Sequence, residues 1–99
     1  MKELELQKKI IAYLRGWGYV VKVVVASRGG VPDLLCCIGG RFVAFEVKAA
    51  GGRVTPLQAN NIEMIKQNGG LAYVVKSLDE VKSIVACITK GLDKISLTQ

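Results

Sequence analysis

The adjacent glycines Gly39 and Gly40 separate two β-type runs, Asp33 to Ile38 and Arg41 to Lys48, by only two residues. This spacing is a strong hairpin signal, because the type I′ turn that matches strand twist needs positive φ at both central positions. The turn also fixes the register. Ile38 faces Arg41, and every further facing pair has residue numbers adding up to 79, which sets Asp33 opposite Glu46. Facing side chains in an antiparallel pair stand roughly 4.5–5.5 Å apart at Cβ, where like charges repel. Side chains alternate along a strand, so Glu46 and Lys48 project from one face while Phe45 and Val47 project from the other. One face of the hairpin therefore carries Asp33, Glu46 and Lys48.

Two carboxylates held together ask for a cation. Hard oxygen ligands that leave positions open for water and phosphate suit Mg²⁺ or Mn²⁺ better than zinc. Beside such an ion, Lys48 is placed to orient an attacking water or to offset charge building up on a phosphoryl group. A plainer reading makes Asp33 the start of a turn after Pro32, and Glu46 and Lys48 a solvated stripe. Against it, the two charges follow the apolar run that begins at Phe42, where unpaired charge is costly. The chain has no histidine, which excludes imidazole zinc sites, Ser-His-Asp triads and histidine bases.

The remaining elements lie between Gly-Gly pairs at 29-30, 39-40, 51-52 and 69-70, whose unequal intervals mark turns and not a repeat. Lys2 to Leu14 has helical spacing, with Leu6, Ile10, Tyr13 and Trp17 on one stripe and Glu3, Gln7, Ile10 and Leu14 on the next. Tyr19 to Ala26, rich in valine on both faces, reads as a central strand. Thr55-Pro56-Leu57-Gln58 opens a helix as N-cap, first helical residue and capping box, with Leu57, Ile62 and Ile65 on its buried face. Leu71 to Lys76 is a strand, and Ser77 to Glu80 opens a helix running to about Lys90. The expected architecture is an α/β sandwich of order α-β-β-β-α-β-α.

Ninety-nine residues suit one domain, 1–99, with a modest core. Fourteen Lys and Arg against eight Asp and Glu give a net charge of +6, spread along the chain as suits a polyanionic partner. No apolar run approaches a membrane span and the N-terminus lacks a signal peptide, so a cytoplasmic location is expected. Cys36, Cys37 and Cys87 form no disulfide framework and read as small buried apolar residues. Core packing is also the expectation for Trp17 and Tyr19, in preference to stacking on a base. Arg28, in Ser27 to Gly30, and Arg53, in a glycine-flanked loop, each fit either phosphate contact or ordinary solvation.

Pro32-Asp33, followed after twelve residues by Glu46-Val47-Lys48, resembles the PD-(D/E)xK nuclease signature. The run from Phe45 to Gln58, FEVKAAGGRVTPLQ, more closely resembles the virus-type replication-repair nuclease (VRR-Nuc) family, over nearly the whole chain. The resemblance implies a restriction-endonuclease-like core, with a central mixed sheet flanked by helices. It implies metal ligation by Asp33, Glu46 and the Val47 carbonyl, with Lys48 as catalytic lysine. It also implies an acidic residue on the first helix. Glu3 is preferred over Glu5, which can pair with Lys9; a solvated acid favoured by the helix dipole is the alternative. Gln7 stands where related junction resolvases often carry glutamate and is a candidate DNA contact. Gln58 matches a glutamine near the site, a role compatible with its capping box. Implied further are a homodimer acting on DNA, branched or junction-containing, and a phage or mobile-element repair role, in the host cytoplasm if phage-encoded. A flap- or nick-directed nuclease and a non-catalytic nucleic-acid-binding module are the alternatives; the intact Asp33, Glu46 and Lys48 argue against the module.

Overall fold

A computed structural model describes residues 1–90. It contains α1 (Glu3–Leu14), β1 (Gly18–Lys22), β2 (Leu34–Ile38), β3 (Arg41–Val47), α2 (Pro56–Gln67), β4 (Leu71–Val75) and α3 (Leu78–Ile88). This is the α/β order read from the sequence. The expected single domain extends to residues 91–99, which lie outside the described residues.

The strands form one mixed sheet in the order β1-β2-β3-β4, antiparallel except for the parallel pair β3 and β4. That parallel return needs a crossover, which α2 supplies. Between β2 and β3 the register runs from Ile38 opposite Arg41 to Leu34 opposite Phe45, as counted through the turn. Gly39 and Gly40 both have positive φ, at 58° and 79°.

Each sheet face is covered differently. Leu34, Cys36, Ile38, Val43, Phe45, Val47 and Val75 form the main core with Leu6, Ile10 and Leu14 of α1 and Val81 and Val85 of α3. On the other face, Ala44 and Ala72 let α2 approach closely enough for Ile62 to pack between the elements. The caps explain where two helices start: the Thr55 side chain accepts from the Gln58 N–H, and Ser77 accepts from the Glu80 N–H. The chain reverses between α1 and β1, so α1 runs back along the sheet. Its first turns sit at the carboxyl end of β3, where Leu6 and Lys9 line a groove with Ala49, Ala50 and Lys76.

Several local expectations are corrected. The segment from Tyr19 to Ala26 is no central strand: β1 stops at Lys22 and forms the sheet edge. Its valines read as doubly covered, but only Val20 packs against the main core. Tyr19, expected in the core, is 69% exposed on the face that α2 leaves uncovered. Trp17 does pack against the core beside Tyr13. Leu57 is exposed at the first turn of α2, against Gly29 and Gly30. Of the cysteines only Cys36 is buried, and burial pushes its thiol pKa up to about 12; Cys37 and Cys87 are exposed.

Gly30 and Gly40 share a left-handed φ, 77° and 79°, but only Gly30 is crowded: a Cβ there would stand 2.7 Å from the Leu57 backbone, whereas Gly40 is open. Gly40→Ala should therefore cost about 1 kcal/mol of strain, and Gly30→Ala about 2 kcal/mol or more. Urea unfolding of the two variants checks the difference.

Candidate active site

Asp33 lies just before β2 and is held at both ends. Its carbonyl accepts the Val23 N–H at 2.8 Å, and its side-chain Oδ2 accepts the Val47 N–H at 2.8 Å. The carboxylate is thus pinned to the end of β3, next to Glu46. A charge-assisted bond from a main-chain N–H is stronger and shorter than a neutral one, which fixes its orientation.

Glu46 projects from the α2 side of the sheet and is only 2% exposed. Its Oε2 accepts from Gln58 Nε2 at 3.4 Å and lies 3.5 Å from Lys48 Nζ. Its Oε1 is buried with no hydrogen-bond partner among the described residues. Burial pushes the Glu46 pKa up to about 7, assisted by the hydrogen bond and charge of Asp33, while Lys48 pulls it down. A lone lysine does not neutralise two adjoining carboxylates. A partnerless buried carboxylate oxygen beside a second carboxylate is the donor set a divalent, oxygen-preferring cation fits. Asp33 and Glu46 are the residues able to hold it.

Gln58 serves two purposes at once. Its Oε1 accepts the Thr55 N–H at 3.0 Å, and its own N–H donates to Thr55 Oγ1 at 3.1 Å. With Oε1 committed to the cap, the amide must turn Nε2 outward, toward Glu46. Helix initiation therefore sets the orientation of a donor in the site. Lys48 follows β3, its N–H donating to the Val75 carbonyl at 2.9 Å and its stem running against Gly52, where a Cβ would stand 3.3 Å from the Lys48 Cβ.

Among the described residues, the other sequence candidates share no hydrogen bond or ion pair with Asp33, Glu46 or Lys48. Glu3 is exposed, and among the described residues no third carboxylate, cysteine or histidine joins Asp33 and Glu46. Gln7 is buried on α1, and its Oε1 has no hydrogen-bond partner among the described residues. Arg28 and Arg53 are exposed, Arg28 with its guanidinium 3.9 Å from the Met64 sulfur on α2. Sequence reasoning missed Asn61, whose buried amide donates to the carbonyls of Gly29 at 3.1 Å and Leu57 at 2.9 Å, tying the loop before Asp33 to α2. The available signal was an amide next to Ile62 on the buried side of the helix.

The VRR-NUC domain model matches residues 3–79, which include every residue of this cluster. The chain belongs to the VRR-NUC domain family. One solved structure, a VRR_NUC domain, is 28% identical with a TM-score of 0.75, covering 86% of this chain and 95% of its own. Another, a VRR_NUC domain protein, shares the fold at 23% identity and a TM-score of 0.77, covering 94% of this chain and 92% of its own. No curated protein matches the chain in sequence. The VRR-NUC match places the chain in a family of nuclease fold, with Asp33, Glu46 and Lys48 gathered at one end of its sheet.

Without a bound cation, the raised Glu46 pKa has a definite sign. The folded state holds a proton between the ordinary value of 4.5 and about 7 that the unfolded chain has lost. Stability is therefore highest below about pH 4.5 on this account and falls as pH rises through 7, by on the order of 2 kcal/mol. Urea unfolding in a chelator at pH 5 and pH 8 should show the fall, and Glu46→Gln should flatten it.

Proposed function

We propose that this chain is a divalent-metal-dependent DNA endonuclease hydrolysing phosphodiester bonds, selective for branched DNA in the manner of a Holliday-junction resolvase. The observation that carries the reading is the pairing of half-buried Asp33 with buried Glu46, with one Glu46 oxygen unpartnered among the described residues and Lys48 on the same face. Asp33, Glu46 and the main-chain carbonyl of Val47 would hold Mg²⁺ or Mn²⁺. When bound, the ion supplies Lewis-acid polarisation of the scissile phosphate and a more acidic water.

The protein's own groups have distinct tasks. The Val47 N–H holds the Asp33 side chain aimed at the site. Gln58 Nε2 occupies Glu46 Oε2, leaving Oε1 as the free acceptor. The Lys48 ammonium, anchored on β3 and 12% exposed, reaches the rim of the site, where it orients the attacking water and offsets charge developing on the phosphoryl oxygens. Arg28 and Arg53, on loops before β2 and after β3, hold flanking phosphates, and the net charge of +6 favours approach to the polyanion. A junction cut symmetrically on two strands needs two such sites, which a homodimer supplies.

A panel of four-way junction, flap, nicked and linear duplex, with cut positions mapped in Mg²⁺ or Mn²⁺, tests this reading. Paired symmetric cuts at the junction are expected. Lys48→Ala should lower turnover by about 10²–10³-fold while leaving calorimetric Mn²⁺ binding in place. Asp33→Ala should lose both. Cleavage surviving in both variants would overturn the site, cuts confined to one strand of a flap would overturn junction selectivity, and binding without cleavage would leave a non-catalytic module.

A further inference from the structure

The face of the sheet that carries Glu46 is only partly covered. α2 packs over Ala44 and Ala72, and farther along the same face Tyr19, Val21, Cys37 and Phe42 stay exposed. Tyr19 of β1 and Phe42 of β3 both stand opposite Cys37 of β2, so the two aromatic residues lie in one row across three strands. Neighbouring strands are about 4.8 Å apart, which sets the two positions roughly 9–10 Å apart. Tyr19 is 69% exposed and Phe42 45%. The rings border shallow hollows. One, of about 330 Å³, is lined by Tyr19, Val21, Leu35, Cys37 and Phe42. The other, of about 350 Å³, adjoins it at Phe42 and is lined also by Arg28, Met64 and Ile65. A Cβ at Gly70 would stand 3.1 Å from Phe42 Cδ1, so this ring rests against the backbone that follows α2 and is held in place.

Cations surround this floor. The Arg28 guanidinium, in the second hollow, lies against the Met64 sulfur at 3.9 Å and forms no ion pair among the described residues. Arg41 adjoins Phe42 at the hairpin turn and Lys22 ends β1, both exposed. No Asp or Glu among the described residues lines either hollow. An aromatic floor with a basic, carboxylate-free rim matches the planar bases and phosphates of a nucleic acid strand better than it matches a protein surface. The strand must be unpaired. In a duplex the base faces are closed against one another at about 3.4 Å per step. The two aromatic positions stand nearly three times farther apart, and their rings reach only bases that have left the stack.

We propose that this open face is a stacking platform for unpaired bases of the DNA substrate, one base on Tyr19 and a neighbouring one on Phe42, with Arg28 on the phosphate backbone. The proposal rests on the nuclease reading for its substrate and narrows it to DNA whose strands open at a branch, where such bases occur. Phe42 stands four residues before Glu46 on the same strand face, roughly 13 Å away. A short stretch of one strand therefore spans the platform and the carboxylates.

Fluorescence anisotropy of the full chain with a short labelled single-stranded DNA, in chelator so that nothing is cut, tests this. The chain is expected to bind that oligonucleotide at least about tenfold more tightly than an abasic strand of the same length, whose phosphates are intact. Tyr19→Leu and Phe42→Leu, which keep apolar bulk and lose the ring, should each weaken binding about fivefold or more. Their circular dichroism and their slope of log affinity against log salt should not change. Tyr19→Trp, which keeps a ring, should retain wild-type affinity. Arg28→Gln should instead reduce the salt slope by about 0.7. No binding of the single strand, equal affinity for the abasic strand, or leucine variants that bind like the wild type would overturn the proposal. So would leucine variants that change the sedimenting mass but not the DNA affinity, which would give this face to a protein partner. Ring-dependent binding without cleavage in Mg²⁺ would leave the platform standing and remove the nuclease reading. Junction cleavage by both leucine variants at the wild-type kcat/KM would remove the platform and leave the nuclease.

Discussion

The site depends on one hydrogen bond between a side chain and the main chain. Asp33 Oδ2 accepts the Val47 N–H at the end of β3, and this draws the aspartate across the hairpin against Glu46. Two carboxylates would otherwise separate. Because the bond is to a backbone group within the sheet, the aspartate cannot rotate away without releasing a buried donor, at a cost of about 1–3 kcal/mol. The close carboxylate pair is therefore a property of the fold and not of a flexible surface.

Everything near the pair is arranged around that constraint. The Gly39-Gly40 turn sets the register, the alanines of β3 and β4 admit α2, and the α2 cap turns Gln58 toward Glu46. Asn61 fastens the loop preceding Asp33 to the same helix. The close approach requires Gly30, which leaves no room for a side chain beside Leu57. Burial and the neighbouring aspartate raise the proton affinity of Glu46, and one of its oxygens is left without a donor. A bound cation would replace both the proton and the missing donor.

Much of this was legible before any coordinates. A two-residue glycine turn and a period of two are enough to derive the register, so the neighbourhood of Asp33, Glu46 and Lys48 could be counted directly. The dual role of Gln58 was visible as a capping pattern and a family match. What could not be read was which faces are covered. The valines from Val20 to Val25 look the same whether a strand is central or at an edge, and only the sheet order shows that β1 has one neighbour among the described residues. Glu3 and Gln7 share one helical stripe, but only Gln7 lies deep enough along α1 to be buried. By residue type Leu57 and Tyr19 read as inward, yet both are exposed, Leu57 at the first turn of α2 and Tyr19 on the outer strand β1.

The central claim is that the Asp33–Glu46 pair is built to bind a divalent cation, and the carboxyl of Glu46 reports on this directly. Carbon-detected NMR of the side-chain carboxyls, titrated over pH with and without Mg²⁺, should show Glu46 titrating near 7 in the metal-free protein. Added Mg²⁺ should move that midpoint down by more than about one unit, since cation and proton compete for the same oxygens. A Glu46 midpoint near the ordinary carboxylate value without metal, or one that Mg²⁺ and Mn²⁺ leave unmoved, would contradict it.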